Sequence, residues 1–344
     1  MLHTDSGSDP LFAPTAQASR LSDPAPIVVV GLPRSGSSLL SHVLSQATDW
    51  YVFDNLYTAR HAQGLGADFD SPLMPSQFEE MLYFLGWQIR ARLLHTEYAK
   101  PACSIDEVEP MNDAIRACFK NSLPSWPSLQ EEWMARLALR AGATRWGWKT
   151  PGAFGYLDEQ KRVYPGLKVI YLMRRPEKVL ASYKHMDPSN KDGNPAQYHP
   201  VAHAIYWHIA ARSWHQAEQD GDDSTAFVTF EDLTADVAET AKRLGTFLDS
   251  PLDSVTLPEK ANSSFQGGVA KGGARQGLTG LEMRILKWIA GHERDHLFPD
   301  SPMEMPPLRG GDIVDFVKCS FVFTSYRLGL IFKRIRRRFF SPAS

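Results

Sequence analysis

A glycine-rich loop that follows an apolar run carries the residue types best suited to binding an anion. Residues 27–30 are all β-branched and predict a buried strand, and residues 37–40 predict the start of a helix. The free amides of the first helical turn, the positive end of the helix dipole and the guanidinium of Arg34 would converge on one spot. The spacing therefore predicts a phosphate or sulfate site formed by Arg34, Ser35, Gly36, Ser37 and Ser38.

The charges in this loop argue against ATP as its ligand. Gly31 and Gly36 have the spacing of the glycines in a nucleotide-binding P-loop, but Ser37 stands where a P-loop ATPase carries its lysine. The positive charge lies instead at Arg34, inside the loop. A P-loop kinase or NTPase remains the first alternative, and Mg²⁺-dependent binding of ATP would support it.

A second anion site is predicted where another strand meets a helix. Residues 167–173 predict the strand, Arg174 follows it, and Pro176 suits the first turn of a helix. Ser182 lies about two turns further on, so that its hydroxyl and the guanidinium could face one phosphate. The alternative is that Arg174 caps the helix or pairs with Glu177.

Two further residues each have a chemical and a structural interpretation. Asp54 ends a strand-like segment, residues 50–53, and is either a base or the cap of a helix that begins near Leu56. Lys149 lies in a short aromatic segment, where a lysine is ordinarily exposed. The residue types alone do not decide between these roles.

Four segments, in this order along the chain, resemble motifs of the sulfotransferases. GLPRSGSSLL, residues 31–40, resembles their 5′-phosphosulfate loop in the bacterial and tyrosylprotein-type form, which has arginine where the cytosolic aryl enzymes have lysine. GWKTP, residues 147–151, resembles the segment beside the bridging oxygen of the donor. R-x-P-x5-S, residues 174–182, resembles the segment that binds the 3′-phosphate, and FEDL, residues 230–233, resembles the [YF]-E-D-L signature.

The resemblance implies an enzyme that moves a sulfuryl group from 3′-phosphoadenosine 5′-phosphosulfate (PAPS) to an acceptor hydroxyl by in-line transfer, without a metal ion. Arg34 and the loop would bind the 5′-phosphosulfate, and Lys149 would contact the leaving oxygen, so that both residues act in catalysis. Arg174 and Ser182 would bind the 3′-phosphate, and Phe230 would lie against adenine.

The general base differs from that of the cytosolic aryl sulfotransferases. Those enzymes carry histidine directly after their lysine and hydroxyl residue, and Pro151 occupies that position here. Tyrosylprotein and several bacterial enzymes use a carboxylate further along the chain, and Asp54 has the corresponding spacing from Arg34. The resemblance therefore implies Asp54 as the base, with His61 and His42 as the next candidates.

The elements that must position these residues predict an α/β fold. We expect a P-loop-like, three-layer α/β/α domain with a central parallel sheet and inserted helices. The chain has 344 residues, of which 43% are apolar, which is enough for a full core. Residues 1–25 predict a flexible lead-in, residues 26–310 the sulfotransferase domain, residues 56–142 a helical insertion on its acceptor side, and residues 311–344 a basic amphipathic tail.

Charge and composition limit the partners that the protein is expected to bind and the cellular compartment in which it is expected to lie. A net charge of −2 gives no general attraction to nucleic acid. The three cysteines are too few and too widely spaced for a disulfide framework or a zinc site. The first residues are polar and lack the apolar core of a secretion signal. We therefore expect a cytoplasmic protein.

Three segments outside the motifs have their own interpretations. IFKRIRRRFF, residues 331–340, suits peripheral contact with the inner face of an anionic membrane, and its alternative is a solvated basic tail. The histidines between residues 199 and 215 are interpreted as surface or packing residues rather than metal ligands. The resemblance to the sulfotransferases implies that a glycine-rich segment, residues 262–276, closes over the nucleotide with Lys271 or Arg275, although it lacks the R-K-G motif of the cytosolic enzymes.

The sequence leaves the acceptor open among a carbohydrate, a lipid-linked sugar, a phenol and a small metabolite. A second alternative to the enzyme is a non-catalytic scaffold that keeps a decayed nucleotide site. The presence of Arg34, Lys149, Arg174 and Ser182 together argues against such decay.

Overall fold

Two stretches of sequence make up each of the two units into which the chain divides. The first unit contains Met1–Met173 and Asp220–Leu257, and the second contains Arg174–Gln219 and Pro258–Ser344. The computed structural model describes residues 9–21, 25–46, 49–95, 101–185, 195–252, 255–257 and 277–340. The predicted closing residues, Lys271 and Arg275, lie outside these ranges.

A parallel sheet forms the centre of the first unit. Its strands are β1 (Ile27–Gly31), β2 (Trp50–Phe53), β3 (Arg145–Lys149), β4 (Lys168–Met173) and β5 (Thr225–Thr229). All of them run parallel, in the spatial order β2-β3-β1-β4-β5. Every residue of β1 is buried, and alternate residues point to opposite faces, so both faces of the sheet are covered. The predicted α/β fold with a central parallel sheet is confirmed.

Most of the other described residues are helical. In chain order the helices are α1 (Ser37–Leu44), α2 (Thr58–Gly64), α3 (Pro75–His95), α4 (Val108–Cys118), α5 (Trp126–Arg140), α6 (Leu157–Val163), α7 (Pro176–Lys184), α8 (Pro200–Gln219), α9 (Phe230–Ala235), α10 (Val237–Leu248), α11 (Gly280–Leu297) and α12 (Gly310–Phe340). Helices α2 to α5 lie within residues 56–142, the predicted insertion, between β2 and β3.

The strand order brings the candidate residues of the first unit to one edge of the sheet. In the sheet, β2 and β3 lie on one side of β1, and β4 and β5 lie on the other. The order in which the chain adds strands therefore reverses next to β1. Open α/β sheets bind ligands at such a point, outside the carboxyl ends of the strands. The loop with Arg34 follows β1, Asp54 follows β2, and Phe230 follows β5, while Lys149 is the last residue of β3.

Lys149 belongs to a buried strand rather than to an exposed loop. β3 pairs with β1 on one side and with β2 on the other. Trp146 and Trp148 are buried on one face of β3, and their rings stack with centroids 5.4 Å apart. The segment has no β-branched residue and a glycine at its centre, which weakens its strand signal, and its burial follows from pairing with both neighbours.

Residues 9–21 are packed against α5 and do not form part of a flexible lead-in. Leu11 is fully buried, and the guanidinium of Arg136 donates hydrogen bonds to the carbonyl oxygens of Leu11 and Ala13 at 2.8 and 2.9 Å. Glu132 pairs with Arg136 and accepts a hydrogen bond from the amide of Gln17 at 2.8 Å. A buried ion pair needs such partners, and this stretch of backbone supplies them.

The second unit contains α7, α8, α11 and α12, with polar contacts between them. Glu282 of α11 accepts hydrogen bonds from Lys184 Nζ of α7 at 2.7 Å and from the hydroxyl of Tyr198 at 3.1 Å. Arg294 of α11 is 1% exposed and lies 3.4 Å from Glu177 of α7. These contacts fix α7, which carries Ser182, to α11.

Candidate active site

The loop after β1 has the backbone geometry of an anion-binding turn. Arg34 has a φ of +72° and Gly36 a φ of +94°, and this left-handed region is uncommon for a side chain as large as arginine. Gly36 directly precedes α1, and no side chain caps that helix. The first amides of α1 are therefore left for another partner, as an anion site requires.

Ser35 adds a hydroxyl to this loop. It is fully buried, and its Oγ has no hydrogen-bond partner among the residues that the structure describes. Buried polar groups in proteins are almost always paired, and an unpaired one points to a ligand or a water molecule. An oxygen of a phosphate or sulfate group would accept a hydrogen bond from Ser35, so the loop fits such a group.

Phe230 contacts the same loop. It begins α9 directly after β5 and is 8% exposed. A Cβ atom on Gly36 would lie 2.2 Å from Cδ2 of its ring, so only glycine fits at this position. The aromatic side chain thus packs against the loop, whereas its role toward adenine stays a prediction.

Lys149 joins the loop to the predicted base. Its Nζ lies 2.8 Å from Oδ1 of Asp54 and donates a hydrogen bond to Oγ of Ser38 at 2.9 Å. The side chains of Lys149 and Asp54 are 3% and 2% exposed. The structure therefore brings together three predicted site residues: Lys149 at the end of β3, Asp54 directly after β2 and Ser38 in the first turn of α1.

Asp54 is not the cap of a helix. The N-cap of α2 is Tyr57, and no side chain caps that helix, so the structural interpretation of Asp54 is wrong. The chain after Asp54 is tied to the end of β3: the amide of Leu56 donates to the carbonyl oxygen of Lys149 at 3.0 Å. The hydroxyl of Thr150 donates in turn to the carbonyl oxygen of Leu56. These bonds hold Asp54 beside Lys149.

Arg92 of α3 is a third charged residue of the site, which the sequence analysis did not predict. Its Nη1 lies 3.5 Å from Oδ2 of Asp54, so this carboxylate stands between two cations, Lys149 and Arg92. One negative charge does not balance both, and the excess positive charge would stabilise an incoming anion. No pattern in the sequence links Arg92 to Asp54, because the two come together only through the packing of the insertion.

Arg174 and Ser182 belong to the second unit. Arg174 directly follows β4, and its carbonyl oxygen accepts a hydrogen bond from Nε1 of Trp207 at 2.9 Å. Ser182 is 3% exposed on α7. Glu177, the alternative partner of Arg174, contacts Arg294 through Oε1. The role of Arg174 and Ser182 at the 3′-phosphate stays a prediction.

Three side chains of the second unit could hold a metal ion. His215 and Glu218 of α8 and His296 of α11 place their ligand atoms within 4.8 Å of one another. His208 of α8 contacts a carboxylate as well, with Nδ1 at 3.0 Å from Glu293. The first three residues are half-buried or exposed, and none of them is among the residues assigned to the donor or to the transfer.

The model of the sulfotransferase family matches residues 26–254, which is more than half of the chain. The chain belongs to the sulfotransferase family. The predicted family and enzyme class are thereby confirmed, and the matched range contains every predicted site residue, from Arg34 to Phe230.

Several solved sulfotransferase structures are similar to this sulfotransferase at low sequence identity. The sulfotransferase domain from the curacin biosynthetic pathway is 15% identical, with a TM-score of 0.45 over 89% of this chain and 98% of that chain. The domain from the Synechococcus PCC 7002 olefin synthase is 18% identical, with a TM-score of 0.44 over 89% and 97%. The sulfotransferase STF9 from Mycobacterium avium is 15% identical, with a TM-score of 0.41 over 83% and 78%. No curated protein sequence matches the chain.

Proposed function

We propose that this sulfotransferase uses PAPS as its donor and transfers the sulfuryl group in line to a hydroxyl of its acceptor. The observation that carries the proposal is the position of Lys149 Nζ, which contacts both Ser38 of the anion loop and Asp54. A cation at this point stands between a phosphosulfate bound by the loop and a proton acceptor. Positioning and electrostatic stabilisation supply most of the rate in transfers of this kind.

Each anionic group of the donor has candidate partners. Arg34, the loop amides and the hydroxyl of Ser35 would bind the 5′-phosphosulfate, which agrees with the unpaired state of that hydroxyl. Arg174 and Ser182 would bind the 3′-phosphate, and Phe230 would lie against adenine. Motif order and spacing support these last three assignments.

In the transfer, the acceptor oxygen forms a bond to sulfur while the bond between sulfur and the bridging oxygen breaks. Lys149 would neutralise the charge that grows on the bridging oxygen. Asp54 would take the proton of the acceptor hydroxyl, and the products are a sulfate ester and 3′-phosphoadenosine 5′-phosphate. Because Lys149 and Asp54 neutralise each other before the donor binds, we expect the donor to draw Lys149 toward itself and so release the carboxylate.

Calorimetric titration of the full chain with 3′-phosphoadenosine 5′-phosphate tests the donor. We expect binding without Mg²⁺, and weaker binding of ATP in the presence of Mg²⁺. Arg174→Ala should lower the affinity for the bisphosphate about tenfold to a hundredfold, because a charge-assisted contact is lost. Arg175→Ala is the matched control, since Arg175 donates a hydrogen bond to Ser301 at 2.8 Å. Preference for ATP with Mg²⁺ would favour the kinase alternative.

We also propose that α12 lies on the surface of an anionic membrane, at its cytoplasmic face. Val314, Val317, Phe321, Leu328 and Phe332 are each about half or more exposed, and their spacing of three, four or seven residues forms one apolar stripe. The sequence adds five basic residues between positions 333 and 338. No helix within the described residues is long and apolar enough to cross a membrane. An amphipathic helix with a basic end binds in the plane of an anionic bilayer.

Sedimentation with lipid vesicles tests the role of α12. We expect the protein to sediment with vesicles that contain phosphatidylglycerol and not with vesicles of phosphatidylcholine alone, because the basic residues need anionic lipid. Phe321→Ser should lower the fraction bound about tenfold, since a large apolar side chain no longer enters the bilayer. Tyr83→Ser, at an exposed aromatic residue of α3, is the control. Equal binding to both kinds of vesicle, or to neither, would contradict the proposal.

A further inference from the structure

Gln88 of α3 carries a buried amide without a hydrogen bond. The residue is 1% exposed, and neither Nε2 nor Oε1 has a partner within the part of the chain that the structure describes. Both atoms require partners when they are removed from water. An amide in this state points to a ligand or a water molecule that pairs with it.

Gln88 lies in a row of residues that ends at the predicted base. Phe84, Gln88 and Arg92 follow one another at a spacing of four residues, so they lie along one face of α3. At one end His61 stacks on Phe84, with ring centroids 4.0 Å apart and planes inclined by 5°. At the other end Arg92 contacts Asp54.

Other members of the row also leave buried polar atoms unpaired. Nε2 of His61, Nε of Arg92 and Oδ1 of Asn55, the neighbour of Asp54, have no hydrogen-bond partner among the described residues. Burial lowers the pKa of His61 below its ordinary value, so that its ring is neutral at pH 7. The row therefore offers donors at Gln88 and Arg92 and acceptors at Gln88, Asn55 and Nε2 of His61, whose other ring nitrogen donates to the backbone of Glu80.

We propose that His61, Gln88, Arg92 and Asn55 form a subsite for a polyhydroxylated acceptor of the carbohydrate type. A hydroxyl group both donates and accepts a hydrogen bond, which matches a set of mixed donors and acceptors. Each hydroxyl of such an acceptor would pair an atom that the protein leaves unpaired. The inference rests on the proposed function, because one hydroxyl of the bound acceptor has to reach Asp54.

The other acceptor classes would leave more of the buried polar atoms of this row without a hydrogen-bond partner. A phenol or a simple alkyl alcohol has a single hydroxyl and would leave most of these atoms buried without a partner, which sites of this kind reject strongly. A carboxylate or a phosphate ester has oxygens that only accept, and these would face the acceptor oxygens of Gln88 and Asn55.

Sulfuryl transfer from PAPS to three acceptor samples tests the subsite. The samples are a pool of mono- and disaccharides, phenol and octanol, and the variant is Gln88→Met, which keeps the side-chain length and removes both polar atoms. We expect transfer to the sugars to be preferred, and Gln88→Met to raise KM for the best sugar about tenfold. Gln63→Met, at an exposed residue of α2, should leave KM unchanged. Gln88→Met should also raise the Tm of the ligand-free protein, because it removes a buried unpaired amide.

The outcomes separate this inference from the proposed function. Preference for phenol or octanol, or an unchanged KM in Gln88→Met, would overturn the subsite. If the wild type transfers no sulfuryl group to any sugar but still binds 3′-phosphoadenosine 5′-phosphate, the subsite is overturned. The assignment of the donor is then unaffected. Failure of the wild type to bind the bisphosphate would overturn the proposed function itself. If Gln88→Met does not fold, His61→Phe replaces it as the test, because phenylalanine keeps the stacking on Phe84 and removes Nε2. An unchanged KM for the best sugar in His61→Phe would then overturn the subsite.

Discussion

We expect Lys149→Met to lower kcat about a hundredfold to a thousandfold, the range found when a group that stabilises developing charge is removed. Methionine keeps the unbranched, apolar part of the side chain and loses the ammonium that contacts Ser38 and Asp54. The affinity for 3′-phosphoadenosine 5′-phosphate should fall less than kcat, because Arg34, the loop amides and the 3′-phosphate site would still hold this product although it loses the contact with Lys149. Steady-state kinetics with PAPS and calorimetry with the bisphosphate measure the two effects separately.

Lys149→Met should also lower the Tm, since Arg92, at 3.5 Å, would be the one charged partner left to Asp54 among the described residues. Removal of one partner from a buried ion pair typically costs about 3–5 kcal/mol. Lys161→Met is the matched control: Lys161 pairs with Asp222 in the same unit, and its side chain is 28% exposed. We expect this control to retain kcat. A lowered Tm with unchanged kcat in Lys149→Met would show that Lys149 is structural only.

Asp54→Asn should lower kcat about a hundredfold to ten-thousandfold, because an amide cannot take the proton of the acceptor hydroxyl. Asparagine has nearly the same shape as aspartate and lacks its charge, so binding of 3′-phosphoadenosine 5′-phosphate should be retained, whereas the Tm should fall because Lys149 and Arg92 lose their buried carboxylate partner. Asp70→Asn, at an exposed residue that pairs with Arg162, is the control and should leave kcat unchanged. The measurement is kcat at saturating PAPS, together with the affinity for the bisphosphate.

Near-normal turnover in Asp54→Asn, with intact binding of the bisphosphate, would contradict the assignment of the base. His61 or His42 would then be the next residue to replace. An equal loss of kcat in Asp70→Asn would contradict it as well, because that control leaves the site unchanged.

The sequence was sufficient for the parts of the site that depend on neighbours in the chain. The loop with Arg34 and Gly36 combines a strand, a turn and a helix start within a few residues, so its pattern predicts both the local structure and an anion as ligand. The local structure around Arg174 and Ser182 was predictable for the same reason, because Arg174 follows β4 and Ser182 lies in the helix that begins two residues later, while their role at the 3′-phosphate stays a prediction. The parallel sheet followed from strands that alternate with helices along the chain.

Residues that meet through tertiary packing were not predictable in this way. Arg92 and Gln88 lie on a helix of the insertion, and neither has a neighbour in the sequence that marks it as part of the site. β3 is short, with a glycine at its centre and no β-branched residue, so the burial of Lys149 follows from its pairing with β1 and β2. The packing of residues 9–21 depends likewise on Arg136, which lies more than a hundred residues away.

Transfer of a radioactive sulfuryl group from labelled PAPS is the most direct test of the central claim, that Lys149 and Asp54 act together at the anion loop. The purified protein is incubated with labelled PAPS and the pool of hydroxylated acceptors in the presence of EDTA. We predict that the label appears in an ester, that an equal amount of 3′-phosphoadenosine 5′-phosphate forms, and that Asp54→Asn and Lys149→Met lose this transfer while they still bind the bisphosphate. Label that stays on PAPS in the wild type, despite tight binding, would contradict the claim and favour a non-catalytic nucleotide-binding scaffold.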